Sequence, residues 1–238
     1  MPSYEFLSPH SAVDHAGAAP VARSPIAHEL ERAGATFELR DGWSVATRFG
    51  AVADEVEAAR HGVAICDRSW LGKIELQAPP GQLAELAGGA LELGRARRDD
   101  TGDWWCPITA RRLLVVTPPS RVAALHSMLE EAAAGLDFAS VADVSAGMAA
   151  ILVVGPRSRE LLAALTALDL RAAVAPLGAL RPGSVARVPA LVLHERESGF
   201  VVLFGAAQAE YVWTVMADAG QPLGAVFAGS DAIEALDA

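Results

Sequence analysis

Three short stretches of the 238-residue chain carry residue types that could do chemistry. In "ERESGF" (195–200), Glu195 and Glu197 flank Arg196 at a turn closed by Gly199. If the apolar run before them is a strand, alternation puts both glutamates on one face and Arg196 on the other. A carboxylate at the edge of a groove accepts two parallel N–H bonds from a planar amide–amidine edge, such as that of a pterin or a guanine. The plainer reading of the same residues is a solvated hairpin tip. In "RRDDTGDWW" (97–105), Asp99, Asp100 and Asp103 stand beside Trp104 and Trp105. This is either an acidic turn before an edge strand, or a place where one aspartate steers a proton or cation beside a tryptophan stacking wall. The third stretch, "CDRSWLGKIEL" (66–76), holds Lys73, the one lysine among 19 basic side chains.

Composition narrows the partners. A formal charge of −10 argues against nucleic acid and anionic membrane, both of which need a basic field. No apolar run reaches the roughly 20 residues of a membrane span. The first residues, "MPSYEFLSPHSAVDHAGAAP", lack the basic and apolar regions of a secretory signal. Two cysteines in a large acidic chain read as reduced thiols, so a cytoplasmic protein is expected. The histidines are scattered and neither cysteine has a metal-ligand spacing, so no metal site is expected. Gly-rich phosphate loops are absent. Arg157 and Arg159 in "GPRSRELL" (155–162) offer a passing anion site at a helix start or a solvated helix face.

These residues must be placed by regular elements, and the elements repeat. "KIELQAPPGQLAELAGGALEL" (73–93) aligns with "AILVVGPRSRELLAALTALDL" (150–170), matching Ile74 with Ile151 and Pro79 with Pro156. Each copy reads as a strand, a proline turn and a helix, with proline tolerated at the helix start because its missing N–H is not needed there. A second pair follows, "RLLVVTPPSRVAALHSMLEEA" (112–132) and "GFVVLFGAAQAEYVWTVMADA" (199–219), each an apolar strand followed by an amphipathic helix. The strand candidates "WWCPIT" (104–109) and "PALVLHE" (189–195) lie between. The expected fold class is α+β: two pseudo-repeated split β-α-β halves, helices on one face of each sheet, with a groove between the sheets as a natural ligand site.

At this point the motifs resemble a known family. "GATFELRDGW" (34–43) and "AARHGVAICDRSWLGKIELQAP" (58–79) are similar to the N-terminal region of the glycine-cleavage T protein, through Gly34, Ala35, Phe37, Gly42, Trp43, Arg60, Asp67, Ser69, Gly72 and Lys73. "ESGF" resembles the family's Gly-Glu-x-Gly-Phe turn, whose glutamate holds the pterin ring of tetrahydrofolate, and "AGSDAIEAL" (228–236) resembles its Gly-Ala-Arg-Asp-x-Leu segment. Residues 141–170 are closer still to the gamma subunit of heterotetrameric sarcosine oxidase. The resemblance covers about residues 24–236.

The resemblance implies ferredoxin-like halves at 24–140 and 141–238, a flexible arm at 1–23, and absence of the family's C-terminal barrel. It implies tetrahydrofolate as cofactor, with Glu197, Trp104, Lys73 and Leu71 as its binding residues and Asp103 as a loose counterpart of the catalytic aspartate. There are departures. "DWWCPI" replaces the family's Asp-Asp-Leu strand, "LHER" replaces the tyrosine and threonine before the pterin-binding glutamate, and Ser230 stands at the arginine position. Two functions follow. One is a folate-binding one-carbon module that accepts a methylene or methyl unit from a small amine. The other is a non-catalytic subunit of a flavin amine oxidase. Without the barrel, Leu223, Val226, Phe227 and Ile233 are expected to be available for docking a flavoprotein subunit or a second copy.

Overall fold

The computed structural model describes residues 21–237. It opens with a small sheet that the repeat did not announce: β1 (Ala22–Arg23), helix α1 (Ala27–Arg32), β2 (Thr36–Arg40) and β3 (Trp43–Arg48), in the order β1-β3-β2. Asp41 and Gly42 both take positive φ, so the chain reverses in two residues between β2 and β3. Of the expected arm at 1–23, residues 1–20 lie outside the described residues, and Ala22–Arg23 belong to this sheet.

The chain continues through α2 (Val52–His61), β4 (Ala64–Asp67), β5 (Gly72–Gln77), α3 (Pro80–Leu86), β6 (Arg97–Arg98), β7 (Trp104–Thr109), β8 (Arg112–Thr117), α4 (Val122–Ala133) and β9 (Ser140–Asp143). Then follow β10 (Met148–Val154), α5 (Ser158–Ala163), β11 (Leu180–Val185), β12 (Val188–Arg196), β13 (Gly199–Gly205), α6 (Ala209–Gly220), β14 (Val226–Phe227) and α7 (Ser230–Asp237). Two large sheets result, ordered β6-β7-β8-β5-β9 and β11-β12-β13-β10-β4-β14. The run β5-α3-β7-β8-α4 gives the strand order β7-β8-β5, and β10-α5-β12-β13-α6 gives β12-β13-β10. Beyond β5 lies β9, whereas beyond β10 lies β4, from earlier in the chain. The expected boundary at 140/141 thus falls inside β9, and β4 crosses from the first span to pair antiparallel with β10.

The strands explain the layers. In β10 and β13 successive apolar residues leave no polar face, as a strand buried on both sides requires. One face of the six-stranded sheet (Ile151, Val153, Val202, Phe204) packs on Leu161 and Leu162 of α5 and on Val212, Trp213 and Met216 of α6. Its other face (Leu152, Leu191, Leu193, Val201, Leu203) meets Trp104, Cys106, Leu114 and Val116 of the five-stranded sheet. The outer face of that second sheet (Ile74, Leu76, Leu113, Val115) packs on Leu83, Val122, Leu125 and Leu129 of α3 and α4. Helices therefore cover one face of each sheet, and the sheets pack on one another. The expected groove between them is filled along most of its length by these side chains. Gly72 permits the close approach of α4, since a Cβ there would lie 2.1 Å from Val122 Cγ2.

The docking expectation at 222–238 needs correction. Ile233 is buried, Phe227 stacks on Trp213 with ring centroids 4.8 Å apart, and Leu223 and Val226 are half-buried against the core. The apolar residues of this stretch are used inside the chain.

Candidate functional site

Asp103 immediately precedes β7, with a side chain 1% exposed. Its Oδ1 accepts from Thr117 Oγ1 at 2.6 Å and Arg121 Nε at 3.2 Å, and its Oδ2 accepts from Arg121 Nη2 at 2.9 Å and Thr101 Oγ1 at 3.1 Å. Each oxygen thus meets an Arg121 donor, and the single Thr101 hydroxyl proton is shared with the nearer Asp99 Oδ1 at 2.7 Å. Asp99 braces the same turn, accepting from Trp105 Nε1 at 2.8 Å and from the Asp103 amide at 3.0 Å. Trp104 is buried in the inter-sheet layer, as is Leu71.

Lys73 is fully buried. On β5 it lies on the face opposite Ile74 and Leu76, so it points between the sheets. Its Nζ donates to the Ser69 carbonyl at 2.6 Å and the Ser145 carbonyl at 3.4 Å, and its amide donates to Ser145 Oγ at 2.9 Å. Burial drives its pKa down from 10.5 to about 7, against the opposing pull of Asp67 and Asp143. Burial raises the Asp67 pKa, although the Ser69 amide donates to its Oδ1 at 3.0 Å. Both thiols are free and buried, and burial pushes Cys66 up to about 12 and Cys106 upward as well, so neither is a poised nucleophile.

At the β12–β13 hairpin the expected alternation breaks. The register shifts between His194 and Arg196, and Arg196 pairs with Gly199 across a two-residue turn of Glu197 and Ser198. The bulge sends Glu195 inward, where Arg68 Nη1 donates to both its oxygens at 2.8 and 2.5 Å. Burial would raise the Glu195 pKa, but Arg68 and Arg196 outweigh it and hold the carboxyl below its ordinary value. Arg68 also lies 5.8 Å above the Trp70 ring. Glu195 and Glu197 therefore do not share a role: Glu195 is locked in a nearly buried ion pair and Glu197 is exposed.

Glu197 lines a cavity of 330 Å³ with Arg60 of α2, Val154, Gly155, Pro156, Arg196, and Leu236 and Asp237 of α7. Among the described residues its carboxylate has no hydrogen-bond or ion-pair partner. The wall is closely packed: Gly155 takes φ +118°, and a Cβ there would lie 2.5 Å from the carbonyl oxygens of Ala59 and Gly62. Arg196 Nη1 donates to Asp237 Oδ1 at 2.6 Å, closing one side. Helix α7 is anchored at its start. Arg40 donates to Ser230 Oγ at 3.1 Å and Asp231 Oδ1 at 2.7 Å, so a guanidinium from β2 sits against the serine. Asp103, Leu71, Lys73 and Trp104 do not line this cavity. A second cavity of 320 Å³ opens at the far end of the inter-sheet layer, lined by apolar residues such as Ile108, Met148 and Leu203 with the Arg112–Glu75 pair.

The model of the GCVT N-terminal domain matches residues 105–238. The chain belongs to this family. The chain is 32% identical to the aminomethyltransferase of Streptomyces avermitilis over 213 residues, covering 82% of this chain and 56% of that protein. The chain spans about half the length of the curated relatives it matches. Its fold is similar to that of the glycine cleavage system aminomethyltransferase T from Bartonella henselae, with a TM-score of 0.76 at 18% identity over 91% of this chain and 62% of that one. It is also similar to a chain of the heterotetrameric sarcosine oxidase from Corynebacterium, with a TM-score of 0.65 at 21% identity over 85% of this chain and 96% of that one. The relationship is thus aminomethyltransferase-like. Among the described residues no helix is long and apolar enough to cross a membrane, and no three His, Cys, Asp or Glu side chains gather as metal ligands do.

The residues that sequence reasoning missed are Glu55, Arg68 and Arg40, each of which acts on a distant partner. The carboxylate of Glu55 accepts from the amides of Phe49 at 2.6 Å, Gly50 at 2.8 Å and Gly229 at 2.8 Å. A glutamate on the Val52–Val56–Ala59 stripe of an amphipathic helix was the available signal.

Proposed function

We propose that this GCVT domain is a folate-binding one-carbon module that accepts a methylene or methyl unit from a small amine onto tetrahydrofolate, in the cytoplasm. One observation carries the reading. Glu197, in the "ESGF" turn that resembles the family's pterin-binding turn, presents a carboxylate unpaired among the described residues to a cavity of 330 Å³ with a closely packed wall. A carboxylate so placed accepts two N–H donors from the amidine edge of a pterin. The volume falls at the small end of ordinary ligand pockets, enough for the ring with its tail toward solvent. The matching strand orders around β5 and β10 support the two ferredoxin-like halves as a repeat. We assign Asp103, Lys73, Leu71 and Trp104 to holding the sheets together behind the ligand. No feature of the site favours the alternative of a non-catalytic oxidase subunit, because the likeness to the sarcosine oxidase chain is one of fold.

Titration calorimetry with 5-formyltetrahydrofolate tests the reading. Binding that weakens at least about tenfold, or about 1.4 kcal/mol, in Glu197→Gln supports it. Absence of heat at millimolar ligand, or equal binding by the variant, overturns it.

A further inference from the structure

The cavity beside Glu197 holds a second unpaired charge. Arg60, exposed in the last turn of α2, lines it, and among the described residues its guanidinium makes no hydrogen bond or ion pair. Arg196 and Asp237 neutralise each other at 2.6 Å. The cavity is thus left with one free cation and one free anion. Arg60 and Glu197 line the same cavity and form no ion pair with each other. Val154, Gly155 and Pro156 line the cavity with them. A ligand that satisfies both charges offers an N–H donor edge to Glu197 and an anion to Arg60. A planar guanidinium matches a carboxylate in two parallel hydrogen bonds, which an ammonium does not.

We infer that Arg60 is the anion-binding residue of this cavity and selects ligands whose ring carries a carboxylate tail over bare heterocycles. This rests on the proposed pterin site at Glu197 and adds a residue and a specificity to it. Because Arg60 is exposed and unpaired, its replacement leaves the fold intact, which a thermal melt verifies.

The test titrates wild type, Arg60→Gln and Glu197→Gln with two probes, 5-formyltetrahydrofolate, which carries carboxylates, and 6-hydroxymethylpterin, which carries none. Arg60→Gln is expected to weaken the first probe about tenfold, or about 1.4 kcal/mol, and to leave the second unchanged. Glu197→Gln is expected to weaken both. If Arg60→Gln binds 5-formyltetrahydrofolate like wild type while Glu197→Gln loses both probes, the role of Arg60 is refuted and the pterin site stands. If Glu197→Gln binds both probes like wild type, or wild type binds neither, the pterin site falls and the role of Arg60 falls with it.

Discussion

Glu55 Oε2 accepts the Gly229 amide at 2.8 Å, joining residues 174 positions apart. The same carboxylate holds the amides of Phe49 and Gly50, so one buried side chain fixes the start of α2 and the approach to α7. These two helices supply Arg60, Leu236 and Asp237 to the cavity at Glu197. The geometry of the site is therefore set by a residue outside it.

Glu55→Ala leaves three backbone N–H groups without their acceptor. Hydrogen bonds to a charged group are worth about 1.5–3 kcal/mol each, so the variant should lose about 3 kcal/mol or more in urea unfolding. Hydrogen exchange at Gly229 and along α7 should rise with it. A loss below about 1 kcal/mol would show that other contacts hold α7.

Asp103 is expected to act on stability. Asp103→Asn breaks the ion pair to Arg121 and turns an amide donor toward donors already in place, at a cost of about 1–3 kcal/mol. Binding of 5-formyltetrahydrofolate should be unchanged. Unaltered stability together with lost one-carbon transfer would restore the catalytic reading.

Lys73 sets a pH dependence whose sign follows from its lowered pKa. Between about 7 and 10.5 it is neutral in the folded chain and charged in the unfolded one. The unfolded state then binds more protons, so stability rises with pH through this window and the contribution is flat below about 7. Cys66, whose pKa is raised from 9.0 to about 12, acts in the opposite direction above about 9, so the rise is clearest from about pH 7 to 9. Denaturation midpoints of wild type should climb over that range, and those of Lys73→Met should not. A slope that persists in the variant would assign the titration to another group.

Gly155→Ala should damage the cavity wall. At φ +118° a side chain is strained, and its Cβ would lie 2.5 Å from two backbone oxygens. Strain of this kind costs about 1–3 kcal/mol, and ligand affinity should fall together with stability. A variant as stable as wild type, with affinity intact, would mean that the α2–β10 contact yields freely.

The sequence was most informative where the chain is local and periodic. The apolar runs at 112–117, 148–154 and 199–205 form strands, the helices follow them, and the turn at Glu197 lies where "ESGF" placed it. What was not legible depended on distance. The pair Arg68–Glu195 spans 127 positions and needs a bulge that alternation cannot foresee, so Glu195 was placed beside Glu197 instead of inside. Arg40 reaches Asp231 across 191 positions. Phe227 and Ile233 looked available for a partner because nothing local showed that Trp213 and the core would cover them. The small N-terminal sheet was missed although Thr36–Arg40 alternates polar and apolar residues, because β2 is only five residues long and β3 breaks the alternation at Ala46 and Thr47.

The central claim is where the ligand's ring sits, and a crystal structure of the chain with 5-formyltetrahydrofolate tests it most directly. The account predicts the pteridine ring in the cavity lined by Val154, Pro156 and Arg196, with its amidine edge within hydrogen-bonding distance of the Glu197 carboxylate. A ring ordered elsewhere, such as the apolar cavity beside Ile108 and Leu203, with the Glu197 cavity left empty, would contradict it.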